Sequence, residues 1–166
     1  MNRKQFLTTG IIATSVFTSP YSLLANKQDD PKLDKKIVKE FVSAGHGKFE
    51  KVKELLEENP TLLNAAHDWK FGDFETALGA ASHVGHKELA QYLINKGAQA
   101  NIFTAALFGR IEIIKPMLNL FPSALHAKGP HGFTLLHHAQ RGGEEAKEVT
   151  EYLVSLGAKE TKIALY

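Results

Sequence analysis

A glycine frame that recurs along the chain constrains its fold more than any other feature. Gly47-Lys48-Phe49-Glu50 leads to Leu55-Leu56, Gly85-His86-Lys87-Glu88 to Leu93-Ile94, and Gly109-Arg110-Ile111-Glu112 to Met117-Leu118. A looser copy begins near Gly142-Gly143 and runs through Val149 and Tyr152-Leu153-Val154 to Gly157-Ala158. Glycine suits the turn because it alone adopts positive φ without steric cost, and the glutamate near each helix start complements the macrodipole. Apolar residues such as Val52, Leu55 and Leu56, or Leu89, Tyr92, Leu93 and Ile94, recur about three and four apart, so each run has one face to bury. A single helix pair cannot cover that face, and stacked neighbours can, so about four stacked units are predicted.

Ahead of the glycines lie shorter helical stretches built from small residues: Thr76-Ala77-Leu78-Gly79-Ala80-Ala81-Ser82, Phe103-Thr104-Ala105-Ala106-Leu107, and Thr134-Leu135-Leu136-His137-His138-Ala139. Thr134-Leu135-Leu136-His137 resembles the Thr-Pro-Leu-His turn of ankyrin repeats with the proline replaced. Residues 76–101, with Gly85-His86, Gly97-Ala98 and Asn101, follow the ankyrin pattern nearly from end to end. The resemblance covers residues 35–158. It implies an all-α ankyrin-repeat solenoid of helix-turn-helix units, and a protein that binds another protein and is not an enzyme. It also implies that His86 and His137 make structural hydrogen bonds within and between repeats.

The units are irregular. The marker glycines 47, 85, 109 and 143 lie 38, 24 and 34 residues apart, against about 33 for a regular unit. The first connection is therefore enlarged, and the second has lost about the length of a hairpin. Pro116, inside the run 111–120, removes a backbone hydrogen bond and is expected to kink or shorten that helix.

The enlarged connection, residues 64–75, carries Trp69, Phe71, Asp73, Phe74 and Glu75. Aromatic side chains there are candidate partner anchors, because they bury much area for few rotatable bonds. Phe74 is expected to turn inward and Trp69 outward. A second decorated connection, 126–133, places His131 and Phe133 on either side of Gly132, at positions that in ankyrin repeats point toward a partner. With His83 and Phe103 on the inner helices, Trp69, Phe71, Asp73, Glu75, His131 and Phe133 make up the predicted partner site on a concave face.

Other functions have weaker support in the residues. There are eight histidines and no cysteine, which removes disulfides and thiolate metal sites and leaves imidazole, the commonest zinc, copper or nickel ligand, as the basis of any metal hypothesis. Local spacing does not build a metal motif, since His83 and His86 straddle a turn glycine and the adjacent His137-His138 face different ways on a helix. No cofactor is expected, and a histidine-lined metal or small-ligand binder is the alternative function. For catalysis, the best grouping is Asp73 or Glu75 with His83, His131 or His138, without an oxyanion loop or phosphate-binding glycines. Lysines between residues 32 and 53 alternate with acidic residues, the pattern of a solvated cap on a terminal repeat and not of a nucleic-acid face.

The N-terminal stretch has a basic start, a mildly apolar centre over 6–16 and small or polar residues before Ala25, the pattern of a signal peptide. Asn2-Arg3-Lys4-Gln5-Phe6-Leu7 resembles a twin-arginine export signal, with Lys4 in the place of the second arginine. Its apolar run is too short to span a bilayer, which takes about 20 residues. Without Arg3 and Lys4, the 18 acidic side chains are matched one for one by basic ones, so nothing in the bulk charge attracts nucleic acid or anionic lipid. The expected organisation is a signal peptide over 1–25, a linker over 26–34, the repeat domain over 35–158 and a tail over 159–166. The mature protein is expected to be a monomer in the periplasm or secreted, without a membrane anchor, as a bacterial chain of this kind would be.

Overall fold

The computed structural model describes residues 32–166, so the expected signal peptide and most of the expected linker lie outside the described residues. The chain runs through helix pairs. These are α1 (Lys35–Ala44) with α2 (Phe49–Glu58), α3 (Ala77–Val84) with α4 (Lys87–Asn95), α5 (Ile102–Leu107) with α6 (Ile111–Leu120), and α7 (Leu135–Gly142) with α8 (Lys147–Ser155). Each pair is one turn of the glycine frame.

The helix starts are written in the sequence as caps. Asp34 accepts from the Lys36 amide at 2.8 Å, Thr76 Oγ1 from Gly79 at 3.0 Å, and Asn101 Oδ1 from Phe103 and Thr104 at 3.0 and 3.1 Å. These bonds satisfy amides that have no partner inside a helix. His86 Nδ1 accepts from the Leu89 amide, and His137 Nε2 bonds the His83 carbonyl at 2.8 Å, so both histidines work within and between repeats as expected. Gly85 ends α3 in the left-handed region, φ 82°.

The small residues of the first helices allow close stacking. Ala77, Ala80 and Ala81 are fully buried, and Ser82 Oγ meets Thr104 Oγ1 at 3.1 Å between α3 and α5. Leu107 of α5 joins the apolar cluster of Phe41, Val52, Leu62, Leu78 and Leu93. Ala105 and Ala106 of the same helix join the cluster of Ile114, Leu135, Leu136, Val149 and Leu153. A short helix thus serves both halves of the core.

Between α2 and α3 the enlarged connection folds as a hairpin, β1 (Ala66–Asp68) pairing antiparallel with β2 (Phe74–Thr76) in the register Ala66 to Thr76, His67 to Glu75 and Asp68 to Phe74. Between α4 and α5 there is no strand, as the short spacing requires. Two 3-10 turns, Pro60–Asn64 and Pro122–His126, follow α2 and α6 and were not foreseen. Each opens with proline, whose missing N–H and fixed φ suit a first helical position. Helix α6 runs unbroken through Pro116, so the expected shortening does not occur.

The tail packs onto the repeat domain. Thr134 N–H donates to Thr161 O at 3.1 Å, Ile163 N–H to Gly132 O at 2.9 Å, and Thr134 Oγ1–H to Glu160 O at 2.7 Å. Gly132 is required here, because a Cβ at that position would run into the Ile163 carbonyl.

Candidate functional site

Alternation along β2 sets up the site. Successive side chains of a strand point to opposite faces. Glu75 turns inward at 1% exposure and Phe74 outward at 62%, which reverses the expectation for Phe74. Trp69 is also the reverse of what was expected: it packs against the first core cluster and donates its indole N–H to Glu75 Oε2 at 2.8 Å. A buried carboxylate needs donors, and supplying one draws the indole in.

Three histidines from separate parts of the chain converge on Glu75. His46 comes from the turn after α1, His83 from the last turn of α3, and His131 from the Pro130–Gly132 turn, where it takes a left-handed conformation with φ 58°. His83 Nε2 lies 2.9 Å from Glu75 Oε1. His46 and His131 present Nε2 at 3.5 and 3.4 Å from Oε2. His46 Nε2 and His83 Nε2 are 3.1 Å apart. One ligand-type atom from each of the four residues lies within 4.8 Å of all the others.

The outward nitrogens are held as well. His131 Nδ1–H donates to Asp73 Oδ2 at 2.8 Å, and the other oxygen of the same buried carboxylate accepts the His131 backbone N–H at 2.8 Å. His46 Nδ1–H donates to Ser43 O at 3.2 Å. In a neutral ring so bonded the lone pair sits on Nε2, and both Nε2 atoms point into the cluster. Burial opposes ionisation of Glu75, but the close approach of His83, the charges of His83 and His46 and the Trp69 indole outweigh it, and its carboxyl is held below the usual range. Glu75 Oε1 is buried and makes no hydrogen bond.

Aromatic rings wall the cluster. Phe133 stacks on His83 at 4.9 Å and on His137 at 4.1 Å, and Trp69 lies 6.2 and 5.8 Å from His46 and His131. Trp69, Asp73, Glu75, His83, His131 and Phe133 therefore belong to one site, with Asp73, Glu75 and His83 buried in it. Phe71 stands apart at the hairpin tip, 88% exposed, and Phe103 packs against His138 at 5.1 Å. Phe103 also lines a groove of about 270 Å³ with Phe74, Lys128 and Pro130.

His46 is the member that sequence reasoning missed. Its one available signal is its distance from His83, 37 residues, close to one repeat, which places both near the ends of first helices in adjacent units.

Comparison with known families agrees with this architecture. The ankyrin repeat model matches residues 73–105, which take in Glu75, α3 with His83, α4 and the start of α5. No curated protein matches the chain. The fold is an all-α ankyrin-repeat stack, and ankyrin repeats are typically non-enzymatic modules that bind proteins. Among the described residues no helix is long and apolar enough to cross a membrane.

Proposed function

We propose that the chain is an exported, monomeric protein-binding module that captures one partner through its hairpins. The observation that carries this reading is the exposed aromatic tip of the first hairpin. Phe71 and Phe74 are 88% and 62% exposed, and Tyr166, itself 66% exposed, meets the Phe71 ring edge-on at 5.6 Å. Aromatic groups left in water at a hairpin tip of a repeat stack favour association, where their area becomes buried. The groove bounded by Phe74, Phe103 and Pro130 continues from this tip. Trp69, Asp73, Glu75, His83 and His131 support the hairpin and the Pro130–Gly132 turn from within, and Phe133 links them to the repeat behind.

The test is capture from an extracellular or periplasmic extract with tagged chain, beside a Phe71→Ala/Phe74→Ala variant. Both side chains are exposed, so the melting temperature is expected to stay within a degree or two of the wild type. One protein retained by the wild type and reduced at least tenfold by the variant supports the reading. Equal retention by both would remove the hairpin tip from the interface.

A further inference from the structure

We infer that His46, Glu75, His83 and His131 form a binding site for a divalent first-row cation of the zinc type, and that the ion clamps the first, second and fourth units together.

The ligand geometry comes first. A tetrahedral zinc site with metal–nitrogen and metal–oxygen bonds of about 2.0–2.1 Å requires donor atoms about 3.3–3.4 Å apart. His83 Nε2 lies 2.9 Å from Glu75 Oε1 and 3.1 Å from His46 Nε2, His131 and His46 lie 3.4 and 3.5 Å from Glu75 Oε2, and one donor atom from each of the four residues lies within 4.8 Å of all the others. The shorter separations already match an occupied site, and the longest close onto the ion by side-chain shifts on the order of 1 Å. Three imidazoles and one carboxylate are also the donor set for a borderline ion such as zinc, whereas calcium and magnesium need more oxygens.

The surroundings are those of ligands. Metal-binding histidines characteristically give the other ring N–H to a carboxylate or backbone carbonyl, which fixes the ring and the tautomer. His131 does so with Asp73 and His46 with Ser43. Trp69 plays the equivalent part for Glu75 by holding Oε2.

The decisive observation is Glu75 Oε1. It belongs to a side chain 1% exposed and faces the converging imidazoles, with His83 Nε2 2.9 Å away but not in hydrogen-bonding geometry. An orphaned acceptor of this kind is costly in a protein interior, and a cation at the centre of the four groups removes that cost. With all four positions supplied by protein the site is closed, which suits a structural ion. His46 and His131 lie 85 residues apart, so the ion closes a long loop of the chain, and it does so independently of any partner.

Trp69 is the one tryptophan of the chain and touches the cluster, so its fluorescence reports on the site. The experiment titrates metal-stripped protein with zinc, and with cobalt(II) as a spectroscopic substitute, while following that fluorescence, visible absorption and thermal unfolding. Expected are one zinc per chain, intense tetrahedral cobalt bands, a melting temperature raised by several degrees, and no response to calcium or magnesium. His46→Ala and His131→Ala, at the two partly exposed ligands, should each weaken zinc binding at least tenfold, while His126→Ala should match the wild type.

Should those variants fail to fold, the wild type with cobalt still answers by proton NMR. Three paramagnetically shifted imidazole N–H signals are expected, one for each Nε2-bound ring. Absence of stoichiometric zinc binding by the wild type overturns the site. So does unchanged binding by folded His46→Ala and His131→Ala, or a cobalt adduct lacking those signals.

Discussion

At the scale of single residues, His138 shows how the stack treats a polar group it cannot hydrate. Its ring is 1% exposed, bonded through Nδ1 to Thr134 O at 2.8 Å and packed against Phe103. Burial lowers its pKa to about 4, with the Thr134 carbonyl opposing the shift. The folded chain therefore refuses a proton that the unfolded chain accepts below about pH 6.5. The associated stability is full above pH 6.5, falls as the pH drops from there, and is gone by about pH 4, a loss on the order of 3 kcal/mol. His137 is shifted in the same direction, mainly by burial. Urea unfolding of wild type and His138→Gln at pH 7, 5.5 and 4 checks this. The wild type should lose stability relative to the variant over that interval, and a gap independent of pH would mean that His138 is not held neutral.

At the scale of elements, capping and hairpin geometry decide where side chains go. Thr76 and Thr134 occupy the same position before α3 and α7, but Thr134 has two tasks. Its hydroxyl oxygen accepts from His137 N–H at 3.4 Å while the hydroxyl donates to Glu160 O, tying the cap to the tail. Thr76→Val should cost about 1 kcal/mol, the usual cost of a lost cap. Thr134→Val should cost about 2 kcal/mol, because the part-buried bond to Glu160 O is lost together with the cap. Denaturant unfolding of the pair measures the difference, and equal costs would show that the tail bond adds nothing. The first hairpin makes the complementary point. The aromatic content of residues 64–75 was legible in the sequence, yet the inward and outward assignments of Trp69 and Phe74 came out reversed. Register decides them: with Glu75 opposite His67 and facing the histidines, Phe74 must face solvent.

At the scale of the whole molecule, the tail acts as a cover for the connection over residues 129–134. Deleting residues 161–166 removes the partners of Thr134 N–H and Gly132 O and releases Lys128 Nζ from Ala164 O. Hydrogen exchange should then speed up over residues 129–134, with the amides of α1 to α4 unchanged. Unaltered protection of residues 129–134 would show that this connection holds itself. Helix pairing, turn glycines, the enlarged first connection and the shortened second were all readable beforehand, because each follows from local rules of periodicity, capping and length. The 3-10 turns after α2 and α6 escaped, since five-residue segments carry too little periodicity to read. The histidine cluster escaped for a different reason. Its four members are spread over 86 residues with no ligand motif between neighbours, and stacking alone brings His46, Glu75, His83 and His131 to one point. The sequence by itself determined a stack of ankyrin-type helix pairs, because helix formation and turn chemistry act over a few residues. Only the tertiary structure decided which distant side chains meet, because that depends on the register of one repeat against the next.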